Sequence, residues 1–578
     1  MFRKNNRHLQ PVLISNVQDL PEKRRKRLED SWAGVFYRET FSRLDERPFG
    51  VLYADCPSRP NVPVNVLVGL ESLKADFGWS DEELYDAFCY NLQVRYALGY
   101  QQFGEGDFDL RSLYYFRERV SRYMQEKGVN LIEKAFEQVT DEQIQAYQLK
   151  TGRQRMDSTQ IASNIREMSR LQLLVEVLQR VYRMLKEEDQ KGYAEAFAPF
   201  ILGHSRQYVY HLKGQDTSEH LQKIGEMMQR LLGELQSAYG QEPVYQMLER
   251  VFGEHYRVEE QVVKTKVAKE LSASSLQSPD DLEATYREKG NKSYKGYVAN
   301  LTETCEPDNK LQLITKTQVA PNCVDDAKLM EEDVPNLKER TDLDTLYTDG
   351  GYGSPDADQT LQDHQVEQIQ TAIRGRVPSS ERLNLADFEI KQTETGKPTQ
   401  ITCPQGQTVA VHSSSQKKGY VAHFDLAICQ TCPFYQTSCP AQPGKRDPRL
   451  HLNFSEAQAH VAQRRRRSLA CLQEGRNLRA AIEATVREVK HPFPASKLPV
   501  RGRFRVTCMV VGSALATNAH RIQRYLVAKI KLENEQKQAP KGQECSQELD
   551  SVAFFASLKI VFEAGLAFLG LRKRCLSY

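Results

Sequence analysis

Three acidic residues stand in settings suited to chemistry: Asp157, Asp349 and Glu483. Asp157 lies within Arg155-Met156-Asp157-Ser158-Thr159-Gln160-Ile161, a loosely alternating run of β-compatible residues. Asp349 closes the strand-like Thr345–Thr348, and Gly350 and Gly351 behind it let the backbone turn away so that the carboxylate can face a cleft. Glu483 falls in a helical stretch, with Lys490 two turns on and nearly on the same face, and with Arg476 and Arg479 in the preceding turns. Acids brought together from strand ends and one helix can hold two hard divalent ions, Mg²⁺ or Mn²⁺. Such a pair polarises an attacking oxygen and stabilises a departing one, as phosphodiester chemistry requires. Cations around one of the acids suit phosphate groups. The same residue types have plainer uses, because an Asp before Gly-Gly also makes a turn and a Glu among arginines also makes surface ion pairs. On type and spacing alone, Asp344, Asp356 and Glu488 stand as rivals.

A second donor set is soft. Cys429-x2-Cys432-x6-Cys439, with Cys403 upstream in Cys403-Pro404-Gln405-Gly406, offers four thiols that suit a structural Zn²⁺, with His412 and His423 as substitute ligands. Free thiols are the other reading. The basic segments Lys445-Arg446, Arg464-Arg465-Arg466-Arg467, and Arg501, Arg503 and Arg505 cluster around Glu483 in the sequence. Four consecutive arginines on a helix cannot all point one way, so some face DNA and some are merely solvated.

The elements that must position these residues follow from periodicity. Residues 1–150 read as mostly helical, with a helix over Val64–Phe77 and another opening at Ser80 with the capping box Ser80/Glu83. A helix over Leu110–Met124 carries Arg111, Arg117, Arg119 and Arg122 among Tyr114, Tyr115 and Phe116. It suits a DNA-binding helix and a solvated basic face equally. Residues 151–164 and 284–379 hold the strands of a mixed α/β core, at Gln154–Ile161, Tyr294–Leu301, Leu311–Val319 and Thr345–Thr348, with a helix over Asp325–Asn336. Between them, residues 165–283 form a helical stretch with two apolar stripes, ending in a linker at Ser272–Glu283. Residues 380–450 read as irregular. A long helix over Ser455–Val489 leads through 451–535, and a tail at 536–578 carries an amphipathic helix over Phe554–Leu571.

Bulk composition sets limits. At 578 residues the chain exceeds one ordinary core, and 40% apolar content suffices for several. Net charge is only +3, so attraction to nucleic acid must come from local clusters. The N-terminus lacks a signal-peptide core, and the apolar C-terminal stretch is broken by Lys559 and Glu563. A reducing cytoplasmic location without membrane insertion is therefore expected, with the twelve cysteines as thiols or ligands.

With these motifs assembled, the chain resembles the bacterial insertion-sequence transposases of the DDE superfamily, most nearly the insertion sequence eleven-eighty-two family. The resemblance runs over most of the chain. It is carried by Arg47-Pro48, Ser80-Asp81-Glu82-Glu83-Leu84, Ser112-Leu113-Tyr114-Tyr115-Phe116-Arg117, Met156-Asp157-Ser158-Thr159 and Thr348-Asp349-Gly350-Gly351-Tyr352. Arg479, Glu483 and Lys490 match the R-x3-E-x6-K part of the Tyr-Arg-Glu-Lys motif of the related insertion-sequence-four group, with Arg476 at the Tyr position.

The resemblance implies an RNase H-like core in which Asp157, Asp349 and Glu483 bind two metal ions. It implies an N-terminal DNA-binding domain and a Cys-rich, zinc-binding insertion over 380–450. It also implies cleavage at terminal inverted repeats and attack of the 3′-hydroxyl on target DNA, by a homodimer on double-stranded DNA. DNA contacts are expected from Arg476, Arg479, Lys490, Arg464 to Arg467 and Arg117. The separation 349 − 157 = 192 makes the helical stretch 165–283 an expected insertion. The alternative is a catalytically inactive DNA-binding descendant.

Overall fold

The computed structural model describes residues 1–538 except 11, 13, 55–59, 211, 213, 372, 374–380, 394–395, 415–418, 445–447, 474–477, 492 and 494–496. Among the described residues, seven α-helices precede the first strand: α1 (Glu22–Glu29), α2 (Trp32–Glu39), α3 (Val64–Phe77), α4 (Asp81–Tyr90), α5 (Leu92–Ala97), α6 (Leu110–Lys127) and α7 (Leu131–Ala146). The Ser80/Glu83 capping box opens α4 as the sequence indicates. α3 is buried from Val64 to Ala75, so it is a core helix covered on every side. Its core does not stop near residue 150. One apolar cluster runs from Phe36, Leu70 and Phe136 through Leu301 and Ile314 to Val511, so the N-terminal helices and the sheet share it.

β1 (Arg153–Ile161) enters that sheet, and the chain then leaves it for α8 (Arg170–Met184), α9 (Glu187–Ile201), α10 (Ser205–Tyr210), α11 (Thr217–Tyr239) and α12 (Pro243–His255). The two stripes read from the sequence meet here: Leu174, Leu178 and Val181 of α8 pack with Ile224, Met228 and Leu231 of α11 in a core of their own. A small hairpin, β2 (Tyr256–Glu259) and β3 (Val262–Thr265), closes the unit. The stretch Ser272–Glu283, expected as a linker, is instead packed down. Leu276, Ser278 and Asp281 are buried, and Asp281 accepts hydrogen bonds from Ser163 Oγ, Tyr297 OH and the Gly502 amide. Buried carboxylates need such donors, and these lie too far apart in sequence to be anticipated.

The sheet is completed by β4 (Thr285–Lys289), β5 (Lys292–Thr304), β6 (Ile314–Pro321), α13 (Asp326–Arg340), β7 (Thr345–Thr348), α14 (Pro355–Asp363) and β8 (Glu367–Gln370). The strand order is β4-β5-β1-β7-β8, with β6 also on β5. β5 runs antiparallel to β4, β1 and β6, whereas β1, β7 and β8 are parallel. Both neighbours of β1 are strands of this sheet, so the helices α8–α12 lie beside it.

Residues 380–450, expected to be irregular, form an antiparallel sheet: β9 (Glu389–Gln392), β10 (Pro398–Thr402), β11 (Thr408–Ser414), β12 (Gly419–Phe424), the short helix α15 (Leu426–Gln430), β13 (Gln442–Pro443) and β14 (Leu450–Phe454). Ile401, Phe424, Leu450 and Leu452 make its core. The expected single helix over Ser455–Val489 is two, α16 (Glu456–Gln473) and α17 (Ile482–Lys490), and the sequence between them carries Gly475 and Asn477, poor helix formers. α18 (Arg503–Gln538) follows. Residues Met1–Tyr525 form one compact unit and Leu526 onward another, of which the described part is the exposed end of α18. The expected helix over Phe554–Leu571 lies outside the described residues. Among the described residues, no helix is long and apolar enough to cross a membrane.

Candidate active site

The first two acids are brought together by strand register. β1 and β7 pair with Arg153 opposite Thr345 and Arg155 opposite Tyr347, an offset of 345 − 153 = 192 positions. Asp157 and Asp349 are separated by 349 − 157 = 192 positions. The two acids therefore stand level on adjacent parallel strands, Asp157 in the middle of β1 and Asp349 just past the C-terminal end of β7, with the strand axes about 4.8 Å apart. Asp349 turns the chain, its Oδ1 accepting the Gly351 amide at 2.6 Å. Gly353, just beyond, leaves room for Arg464, whose Nη1 would lie 2.0 Å from a Cβ there. Asp157 is buried, and burial raises its pKa. The guanidinium of Arg479 opposes that rise and the charge of Asp349 adds to it. Tyr352 is fully buried and donates to Asn300 Oδ1 at 2.7 Å. Its hydroxyl pKa is raised by burial first and then by the charges of Asp157, Asp326 and Asp349.

Glu483 sits in the first turn of α17, and a buried polar network sets that helix. Arg155, two residues before Asp157, donates to the Leu478 carbonyl at 2.8 Å and to Glu303 at 2.6 Å. Glu303, fully buried on β5, also accepts from Thr485 of α17 and from Arg521 of α18, each at 2.6 Å. Arg479 then bridges the acids, with Nη2 3.1 Å from Asp157 Oδ2 and Nη1 4.0 Å from Glu483 Oε1. The Glu483 side chain is 57% exposed.

The rivals separate by geometry. Glu488 is held by Arg521 at 2.9 Å and Arg524 at 3.0 Å. Asp344 lies before the start of β7, and five residues of strand place it roughly 16 Å from Asp349. Asp356 lies in the first turn of α14.

Two expected DNA contacts are corrected. Arg117 is buried against Glu71 at 2.6 Å and Asp81 at 2.7 Å. Burial alone would raise the Asp81 carboxyl, but Arg117 and Lys74 bring it down to about 2. Arg464 is likewise buried, with Asp358 at 3.6 Å and His460 on the same carboxylate. Each guanidinium neutralises an interior acid, because leaving that acid unpaired would be costly. Arg466 and Arg467 are exposed, with loose partners in Glu389 at 3.9 Å and Glu367 at 3.8 Å, and Arg465 is half-buried. Arg476 and the basic pair Lys445-Arg446 lie outside the described residues.

Lys490 is half-buried on α17, where burial lowers its pKa. Sequence reading passed over Arg487, exposed one turn after Glu483, although the i, i+4 spacing marks it. It also passed over Lys289, whose charge reaches Asp157. Lys289 opens the tight turn Lys289-Gly290-Asn291-Lys292, where Gly290 and Asn291 both have φ of 58°, as the commonest two-residue hairpin loops require.

Asp157 and Asp349 supply hard oxygen donors in mutual repulsion, the donor chemistry that suits a divalent cation. Among the described residues, no group of three or more His, Cys, Asp or Glu side chains is arranged to hold a metal ion. That holds for the thiols as well. Cys403, Cys429, Cys432 and Cys439 are half-buried, and Cys429 is pushed up to about 11 by burial and then by the charges of Cys439, Cys403 and Cys432. His412 and His423 pack against each other across β11 and β12, their rings 6.0 Å apart.

Residues 402–523 match a family model described as a transposase DDE domain. No curated protein and no solved structure matches the chain. The matched span includes Glu483 and the whole of α17, and ends inside α18; Asp157 and Asp349 lie upstream of it. The match supports a DDE transposase, a class of metal-dependent enzyme that acts on DNA, and implies an RNase H-like fold, with which the mixed sheet and its helical N-terminal region agree.

Proposed function

We propose that the chain is a DNA transposase of the insertion-sequence type, which cleaves element ends at terminal inverted repeats and joins them to target DNA. Asp157, Asp349 and Glu483 are its catalytic carboxylates. The observation that supports this reading is the shared offset of 192, by which two distant acids stand level on neighbouring parallel strands, with Arg479 linking Asp157 to the helix of the third. The resemblance to the insertion sequence eleven-eighty-two family points the same way.

Asp157 and Asp349, with Glu483, would hold Mg²⁺ or Mn²⁺, and such ions polarise the attacking water or 3′-hydroxyl and neutralise the departing oxygen. The chain's own residues do the positioning. Glu303 and Arg155 fix the backbone that carries Arg479. Arg479 holds the place of a cation between Asp157 and Glu483, and Arg487 and Lys490 extend the positive face along α17. Pairing two element ends requires two copies, so the working form is a homodimer on double-stranded DNA. A structural zinc on the four thiols is a separate proposal that rests on donor chemistry alone. Metal analysis of protein purified without chelator tests it, and absence of zinc removes it.

The function is tested with labelled duplex carrying the inverted repeats that flank the coding region. Wild type should cleave it only with Mg²⁺ or Mn²⁺, and Asp157→Asn and Glu483→Gln should each lose about a thousandfold in rate, the loss of several kcal/mol of charge stabilisation. Variants as active as wild type would refute the assignment. Binding without cleavage by wild type would identify an inactive descendant.

A further inference from the structure

A cleft of about 670 Å³ opens between the α8–α10 helices and the crossover that joins α17 to α18. Its wall carries Arg166, Arg180, Arg183 and Arg501, faced by Glu176 and Asp280. Arg180 pairs with Asp280 and reaches Glu176 at 3.6 Å, Arg183 reaches Glu176 at 3.5 Å, and Arg501 reaches Asp280 at 3.7 Å. Three guanidiniums thus share two carboxylates, with Arg166 as a fourth cation beside them, in a chain whose net charge is only +3 over 578 residues. Arg166 is exposed and makes no ion pair with the described residues, and the side chain of Arg183 is 64% exposed.

These like charges are held together by backbone that is stitched in place. The Asn164 amide donates to the Val500 carbonyl at 2.8 Å, Arg501 Nε donates to the Asn164 carbonyl at 2.6 Å, and Ala162 forms a parallel bridge with Lys497. A fixed positive excess on rigid backbone is a preorganised seat for a polyanion.

Its position says which one. Arg166, on the wall of the cleft, follows the end of β1 and lies nine residues beyond Asp157, which spans at most about 30 Å. That is within one turn of B-form DNA. Arg487 and Lys490 stand on α17, on the face that carries Glu483, and neither forms an ion pair with the described residues.

We propose that this cleft seats the phosphate backbone of the same duplex whose scissile bond lies at the carboxylates, within one turn of it, so that the helical insertion is a DNA-holding arm. The inference rests on the transposase reading and names a surface that the reading leaves open.

The test is fluorescence anisotropy of a fluorescein-labelled duplex carrying the flanking inverted repeat, titrated over a range of KCl with full-length protein. The double variant Arg166→Ala/Arg183→Ala should keep its circular dichroism and melting temperature, because both side chains are exposed. It should lower the slope of log affinity against log salt by about 2, one per lost phosphate contact, and weaken binding roughly tenfold or more at moderate salt. Trimming the duplex to about four base pairs beyond the scissile bond, on each side in turn, leaves it about 14 Å long there, less than half of that reach. On one of the two trimmed duplexes wild type and variant should then bind alike. An unchanged slope on the full duplex would overturn the inference, as would a deficit that persists on both trimmed duplexes. Those outcomes leave metal-dependent cleavage by wild type intact and so spare the transposase reading. Failure of wild type to bind any duplex would bring down both.

Discussion

The helical insertion and the carboxylate site are built on opposite principles. The insertion holds itself together by apolar stripes, Leu174, Leu178 and Val181 against Ile224, Met228 and Leu231. Each stripe is local in sequence, and its energy comes from area removed from water. The site is held by charges gathered around the buried Glu303, namely the half-buried Arg155, Arg521 and Arg479, drawn from β1, β5, α18 and the turn before α17. Such charges add little net stability, because desolvation consumes most of the Coulombic gain, but each is costly to orphan. The comparison teaches that the insertion can tolerate conservative repacking, whereas the site network fixes one geometry and fails as a unit.

Three measurements test that contrast. The largest effect is expected from Glu303→Ala, which strands Arg155 and Arg521. Urea unfolding should show a loss of about 3–5 kcal/mol, with DNA cleavage falling further than stability explains because α17 loses its anchor. A loss confined to stability would show that the network only packs. Next comes Leu174→Ala, a fully buried residue of α8, which should cost about 2–5 kcal/mol while chemistry on bound DNA proceeds at the wild-type rate. An equal fall in single-turnover rate would show that the two regions are mechanically one.

The third concerns pH. His255 is buried in the insertion, and neither ring nitrogen has a hydrogen-bond partner among the described residues. Burial, with Arg170 and Lys266 nearby, holds its pKa down to about 4 against 6.5 when unfolded. The folded state thus favours the neutral ring, so the stability it contributes is complete above about 6.5 and is lost as pH falls toward about 4. That window is worth about 3 kcal/mol at most. His255→Leu should flatten the stability profile between those limits, and an unchanged profile would remove the assignment.

The same division explains what could be read in advance. α3, the α4 capping box, β1, α13 and β7 were legible because their signals are local: periodicity, caps and turn residues. The sheet over 380–450 was hidden because its strands are short and interleaved with Cys, Pro and Gly, whose turn chemistry dominates the composition. Arg117 and Arg464 looked like surface cations because their partners, Glu71 and Asp358, lie 46 and 106 positions away. Asp349 and Glu483 carried local marks in Asp-Gly-Gly and R-x3-E-x6-K. Asp157 carried none, and what singles it out is a strand register that no local pattern encodes.

The hydrogen bond from Ser163 to Asp281, at 2.9 Å, joins residues 118 positions apart. From the sheet's side, everything between them amounts to a single tight turn. Ring closure for a flexible loop of that length would be entropically expensive. Here the ends meet on folded ground, pinned by the same Asp281 that also holds Tyr297 and Gly502. The helical unit is therefore tied off at its base, in the manner of a module spliced into a host. A short turn joining Ser163 to Asp281 is the splice at which the sheet, its core and its carboxylates could be closed without it.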